Sequence, residues 1–327
     1  MAIPDRRRKA ARVVETRQIL EARERIRDLV HVTPMLTSRS LGAPHAVELF
    51  LKAELFQKTG SFKARGALHR VSRLSASERA RGLLTISAGN HAAALAYAAA
   101  AQNVACTVVM PANANPTKAR AARSYGAEVI LHGDVTQAFE RCHQLEEERG
   151  LVFIHAFDDP EIVAGAASLG LECVEQCRDV DVVIVPVGGG GLISGVALGV
   201  KHLRPEARVY GVEPEGAAAM WKSLQQGSAA RLDHLDTVAD GLAPPMAGEL
   251  NFEIVRRHVE DVVRVSDAQI LAAMRDLMMR AKLFAEPAGA AGLAALQSGH
   301  VPVTRGDKVV VIVSGGNVDL AQLPAWL

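Results

Sequence analysis

Aromatic side chains are scarce in this sequence: two Trp, three Tyr and eight Phe among 327 residues, or 4%. A core with so few large rings must close through small side chains. With 27 glycines and abundant alanine, closely packed helices and strands with many tight turns are expected. Net charge is also missing: a formal balance of +1 gives no electrostatic reason to bind nucleic acid or a membrane surface. No apolar run could span a bilayer without a Gly or charge interrupting it. The basic start, Arg6 to Lys9, lacks the apolar stretch of a signal peptide and should be a solvated or frayed helix in a cytosolic protein. Four cysteines, Cys106, Cys142, Cys173 and Cys177, form no disulfide framework, and none stands at zinc-ligand spacing. Buried thiols and no metal site are expected.

What is present is alternation of strand and helix, which predicts an α/β protein of roughly two domains with open, mostly parallel, twisted sheets covered by helices. An amphipathic helix is read over Val14–Leu29 and a strand over Val47–Glu54. Strands at 82–86, 105–110, 128–131 and 151–155 should form a small parallel sheet, giving a small domain over 79–155. Residues 1–78 and 156–327 then make a larger, discontinuous domain. Its strands are read at 181–187, 208–213 and 308–313; a helix is read over Asp267–Leu283, and Pro287 opens another.

Chemistry centres on KTGSFKARGA, residues 58–67. Ala64, Ala67, Leu68, Val71 and Leu74 fall on one helical stripe, with Ser61 suited to cap the helix. Lys63 lies off that stripe in the first turn, where the helix dipole disfavours an ammonium ion and favours a neutral, nucleophilic amine. Gly60 and Gly66 leave room for something flat and bulky. The competing reading is a solvated lysine beside Arg65, Arg70 and Arg73.

Three glycine loops follow apolar strands: SAGN (87–90), GGGG (188–191) and SGGN (314–317). At the carboxyl ends of parallel strands, such loops can line one cleft. GGGG, opening a helix, suits a phosphate, since four consecutive glycines exceed what packing needs. Gly189, Gly191 and Gly195, with Glu213 ending the next strand, also loosely fit a dinucleotide fingerprint, so an NAD-dependent oxidoreductase is the competing class. Ser87, Asn90 and nearby N–H groups suit a carboxylate, His91 reads as a packing histidine, and Ser314 could reach a ring heteroatom or serve a turn.

SFKARG, SAGNHA, VPVGGGGLISG, ADGL (239–242), EPAGA (286–290) and SGGNVDL resemble, in order, the motif set of the pyridoxal-phosphate enzymes of fold type II, the tryptophan-synthase-β-like fold. Within them the pattern is similar to the threonine/serine dehydratase and serine racemase branch. That resemblance implies pyridoxal 5'-phosphate held as a Schiff base by Lys63, which later takes the substrate's α-proton. It also implies Phe62 near the ring, Gly188, Gly189, Gly190 and Gly191 at the phosphate, Asn90 at the phenolic oxygen and Ser314 at the pyridine nitrogen. Gly241 and Glu286 are placed at the cofactor by their motifs, and Ser87, Ala88, Gly89, Asn90 and His91 at the substrate carboxylate. The implied reaction converts a β-hydroxy-α-amino acid, L-threonine or L-serine, to a 2-oxo acid and ammonia in a homodimer or tetramer. A racemase or a hydroxyaspartate dehydratase are the alternatives within the family.

Four departures matter. Gly165-Ala166-Ala167-Ser168 replaces the usual Gly-Gln-Gly-Thr, and Ala166 and Ala167 should widen the cleft. Ala156 replaces the usual Pro. Ala219 stands where metal-binding members carry an Asp six residues after the Glu corresponding to Glu213, which should weaken a hard-cation site. Ala88 stands where racemases carry a second proton-transfer serine, so elimination with little inversion is expected.

Overall fold

The computed structural model describes residues 14–326, and the expected basic helix at Arg6–Lys9 lies outside them. The chain runs through α1 (Thr16–Ile26), β1 (Met35–Thr37), α2 (Arg39–Gly42), β2 (Glu48–Ala53), α3 (Lys63–Ser72) and α4 (Ala76–Arg81). Next come β3 (Leu83–Ile86), α5 (Asn90–Ala101), β4 (Cys106–Met110), α6 (Pro116–Ser124), β5 (Glu128–Leu131), α7 (Val135–Arg149) and β6 (Val152–Phe153). The remainder holds α8 (Pro160–Gln176), β7 (Val182–Pro186), α9 (Gly191–Leu203), β8 (Arg208–Pro214), α10 (Ala219–Gln226) and α11 (Glu249–His258). It ends with β9 (Asp261–Val265), α12 (Asp267–Asp276), α13 (Pro287–Gln297), β10 (Lys308–Val313) and α14 (Leu323–Trp326).

Two sheets result. One has six strands in the order β1-β2-β10-β7-β8-β9, the other four in the order β5-β4-β3-β6. All pairings are parallel except that of β1 with β2, where Met35 faces Lys52. β7 and β10, central in the larger sheet, are near-continuous Val and Ile because helices cover both faces, and every β7 residue is buried.

Small residues let the covering helices approach closely. A methyl at Gly199 of α9 would lie 2.5 Å from the Ala167 carbonyl oxygen of α8, and one at Gly165 would lie 2.7 Å from Gly66. This backbone-to-backbone packing takes the place of aromatic filling. The helix expected over Asp267–Leu283 stops earlier: α12 gives way to a π-helical turn, Leu277–Ala281, closed by Lys282 at φ 59°. α11 and β9 occupy a stretch to which the sequence pattern assigns no element.

Candidate active site

The loop into α3 is tightly bent. Thr59, a β-branched residue, sits at φ 61°, and Ser61 is extended and bridged to Gly315. The expected Ser61 cap is absent: Phe62 takes the cap position, and the buried Ser61 hydroxyl has no partner among the described residues. Extended pairing with the Gly315 strand end replaces the capping geometry. Lys63 is the first residue of α3. Its amine donates to the Ala156 carbonyl at 3.0 Å and lies 5.1 Å from the centre of the Phe62 ring. No carboxylate pairs with it among the described residues, and burial pushes its pKa down to about 8. Lys63, Phe62, His91, Ile162, Ala166 and Leu192 line one cavity, with Gly66, Ala156 and Gly191 in its wall. Gly66 does more than leave room, because a methyl there would meet the Ile162 carbonyl at 2.8 Å. Ala166 faces this cavity as expected. Ala167 does not line it; it is buried against α9.

The three glycine loops sit at the carboxyl ends of β3, β7 and β10. In GGGG the carbonyls are engaged: that of Gly189 accepts from Gly248 and from Asn251 Nδ2 at 2.9 Å, and that of Gly190 accepts from Ser194. Among the described residues, nothing accepts from the N–H groups of Gly188, Gly189, Gly190 and Gly191. Four unpaired donors at the start of the 13-residue α9 fit a phosphate. Packing nevertheless requires several of these glycines. Methyls at Gly189 and Gly191 would strike Phe157, and Gly190 is at φ 97° with a methyl only 2.6 Å from Met220. The glycine run therefore meets a packing need as well as presenting unpaired donors.

SAGN opens α5. Ser87 Oγ accepts from Gly89 N–H at 3.2 Å, while the N–H groups of Ala88, Asn90 and His91 have no acceptor among the described residues. That leaves donors suited to a carboxylate. His91 is buried with Nε2 unpartnered, and burial, with Lys63 nearby, holds its pKa well below the usual value. Asn90 Nδ2 donates to Glu286 Oε1 at 2.7 Å. Burial pushes the Glu286 carboxyl up to about 7. Its oxygen lies 4.0 Å from where a methyl at Gly241 would sit, and Gly241 lies against Gly188. Ser314 is buried, and its carbonyl accepts from Phe62 N–H at 3.0 Å. The structure thus brings the Lys63 loop, the three glycine loops, Gly241 and Glu286 to one place.

Glu213 is elsewhere, and its carboxylate is occupied. It accepts from Met220 N–H at 2.8 Å and Trp221 N–H at 2.7 Å, capping α10, with burial pushing it up to about 8. A ribose hydroxyl has no free carboxylate there, which removes the mainstay of the dinucleotide reading. Arg65, which the competing reading set beside a solvated lysine, is not a surface residue. It is wholly buried and binds Glu54 at 2.8 Å and Glu172 at 2.6 Å.

A family model described as pyridoxal-phosphate dependent enzyme matches residues 26–315. An L-threonine ammonia-lyase of Thermotoga maritima is 42% identical over 95% of this chain and 77% of its own length. A phenylserine dehydratase of Ralstonia pickettii is 40% identical over 93% of this chain and 94% of its own. The structure of maize serine racemase superposes with a TM-score of 0.91 at 37% identity, covering 97% of both chains.

Proposed function

The chain belongs to the pyridoxal-phosphate dependent enzyme family, and on that premise we propose that it is an ammonia-lyase turning a β-hydroxy-α-amino acid, L-threonine or L-serine first, into a 2-oxo acid and ammonia. The observation that carries this reading is the cavity that joins Lys63, an amine with no carboxylate partner among the described residues, to Gly191 at the start of α9, where the N–H groups of Gly188 to Gly191 are unpaired among those residues. Those groups fit the cofactor. Gly188 to Gly191 would hold its phosphate, Asn90 its phenolic oxygen, Ser314 its ring nitrogen and Lys63 its aldehyde carbon, with Phe62, Gly241 and Glu286 around the ring. When bound, the cofactor supplies an electron-withdrawing ring that accepts the electron pair freed at the substrate's α-carbon.

The chain's own residues do the rest. N–H groups of Ala88, Asn90 and His91, with Ser87 and Gly89 shaping the loop, receive the substrate carboxylate. Lys63 Nζ takes the α-proton, and the Ala156 carbonyl is placed to hold the resulting ammonium. The β-hydroxyl takes a proton from that ammonium and leaves as water; the released enamine becomes an imine, and its hydrolysis consumes one water and frees ammonia. A positioned proton-transfer group of this kind contributes about 10²–10⁴-fold in rate. Ile162, Ala166 and Leu192 give the cavity an apolar wall, in which the small Ala166 is the residue proposed to leave room for bulkier side chains. The phenylserine dehydratase relative supports the same reading. A domain over 79–155 packed on the rest, a cytosolic site of action and a homo-oligomer complete the proposal. Among the described residues no helix could cross a membrane, and exposed Met279 and Phe284 favour self-association.

The test is to supply L-threonine, L-serine and phenylserine to the cofactor-loaded protein and measure 2-oxo acid and ammonia. Equal amounts of both from at least one are expected; none from any would overturn the reading. Chiral analysis of the unreacted L-serine should show little inversion, because Ala88 offers no acid on the face opposite Lys63.

A further inference from the structure

We propose that Asn317 is a positioning residue that, with Glu286, fixes the Asn90 amide so that its remaining N–H faces the cofactor. This rests on the reading of Asn90 given above and adds a residue to it. Asn90 Nδ2 donates to Glu286 Oε1 at 2.7 Å, Asn317 Nδ2 donates to Asn90 Oδ1 at 2.9 Å, and the same Nδ2 donates to the Thr59 carbonyl at 2.8 Å. The chain of bonds ends on an acceptor at each side, a carboxylate at one and a backbone carbonyl at the other. Those ends determine every amide in between. Turning Asn90 over would set Oδ1 against the carboxylate and Nδ2 against the Asn317 amide nitrogen, losing two bonds at once.

Two further features hold Asn317, whose side chain stands at the rim of the site. Thr59 keeps a left-handed backbone, φ 61°, costly for a β-branched residue, and its carbonyl is the one that Asn317 meets. Gly60, at φ 73°, passes directly under the Asn317 amide, where any Cβ would collide with Oδ1. The bonds also join four segments: the turn before Lys63, the start of α5, the start of α13 and the end of β10. Asn90 belongs to the sequence block of the four-stranded sheet, whereas Thr59, Glu286 and Asn317 do not.

Glu286 makes the device sensitive to protons. Burial raises its pKa to about 7; Lys118 of α6 lowers it, Asp240 raises it, and the loop after β10 faces it with the Asn317 N–H. A protonated Glu286 can donate to a turned Asn90, so below neutrality Asn317 alone sets the orientation.

The experiment follows the long-wavelength absorbance band of the protein loaded with pyridoxal 5'-phosphate, between about pH 6 and 9, for wild type, Asn317→Asp and Asn317→Ala. Wild type should hold its band position. Asn317→Asp puts an acceptor where the donor was, so its band should shift with a midpoint at or above about 7. The cofactor dissociation constant should rise about tenfold, as loss of one hydrogen bond implies. Asn317→Ala should show the same change with smaller amplitude, and it decides the matter if the aspartate variant fails to fold. Wild-type affinity and a pH-invariant band in a folded variant would overturn the proposal. A wild-type protein that forms no band at all would instead contradict the proposed function.

Discussion

Lys63 and Arg65 stand two residues apart in α3, and the protein treats their charges in opposite ways. Burial alone would push the Arg65 guanidinium down, but Glu54 and Glu172 more than reverse it, and all its bonds are made: to both carboxylates, to Ser168 and to the His31 carbonyl. Lys52 joins the same cluster through Glu172 at 2.7 Å and the Thr33 carbonyl. Two cations and two carboxylates thus compensate one another out of water. The Lys63 amine has one carbonyl and, among the described residues, no counter-ion, so burial lowers its pKa to about 8. One turn of helix carries a permanent charge that anchors it and an amine poised to lose its proton. Such contrast is what a site needs: a rigid support made of paired ions and a reactive group left unpaired.

The largest effect should come from Lys63→Met. Output of 2-oxo acid should fall at least about a thousandfold, within the range of a lost proton-transfer group. The thermal midpoint of the cofactor-free protein should stay level or rise, since an uncompensated amine is removed. Arg65→Met should do the reverse to stability. It leaves Glu54 and Glu172 buried against Lys52 alone, and breaking such a cluster typically costs about 3–5 kcal/mol. Denaturant unfolding measures that, and adding Glu172→Gln should recover part of it. If both variants lost stability equally, the contrast between the two residues would collapse.

Smaller, and specific to the unpaired amine, is the pH dependence of cofactor uptake. The neutral amine is the reacting form, so loading followed by absorbance should speed up about tenfold from pH 7 to 9, as a pKa of about 8 requires. The same displacement bears on stability. The folded pKa lies below the unfolded value, so the amine costs stability below about pH 8 and the cost is relieved between about 8 and 10.5. Ala88→Ser should produce the smallest change, a measurable rise in D-serine from L-serine with elimination largely retained.

Much of this was legible in the sequence, and the limits have physical reasons. The parallel strands were readable because a strand buried on both faces is a continuous apolar run, as in β7 and β10. Lys63 and the glycine loops were readable because each motif is local and the loops fall at strand ends. The stripe of Ala64, Ala67, Leu68, Val71 and Leu74 is buried as the helical spacing predicts. The burial of Arg65 was not legible because its partners lie 11 and 107 residues away, and periodicity contains no tertiary pairing. Ser61 was misread as a cap because composition cannot show that its backbone is claimed by Gly315. Gly66 was read as room for a ligand and the GGGG run as a phosphate site beyond the needs of packing, while the helix crossing at Ile162 and the ring of Phe157 also require them. β1 was missed for lack of length, having three residues at a sheet edge.

On the proposed function, Lys63 is the residue that bonds the cofactor. Borohydride treatment of the yellow, cofactor-loaded protein, followed by peptide mass mapping, tests it most directly. The reduced pyridoxyl phosphate should be found on the peptide containing Lys63 and should be absent from Lys63→Met. A label on Lys52, Lys58 or Lys118 instead, or a colourless protein that takes up a nicotinamide dinucleotide, would contradict it.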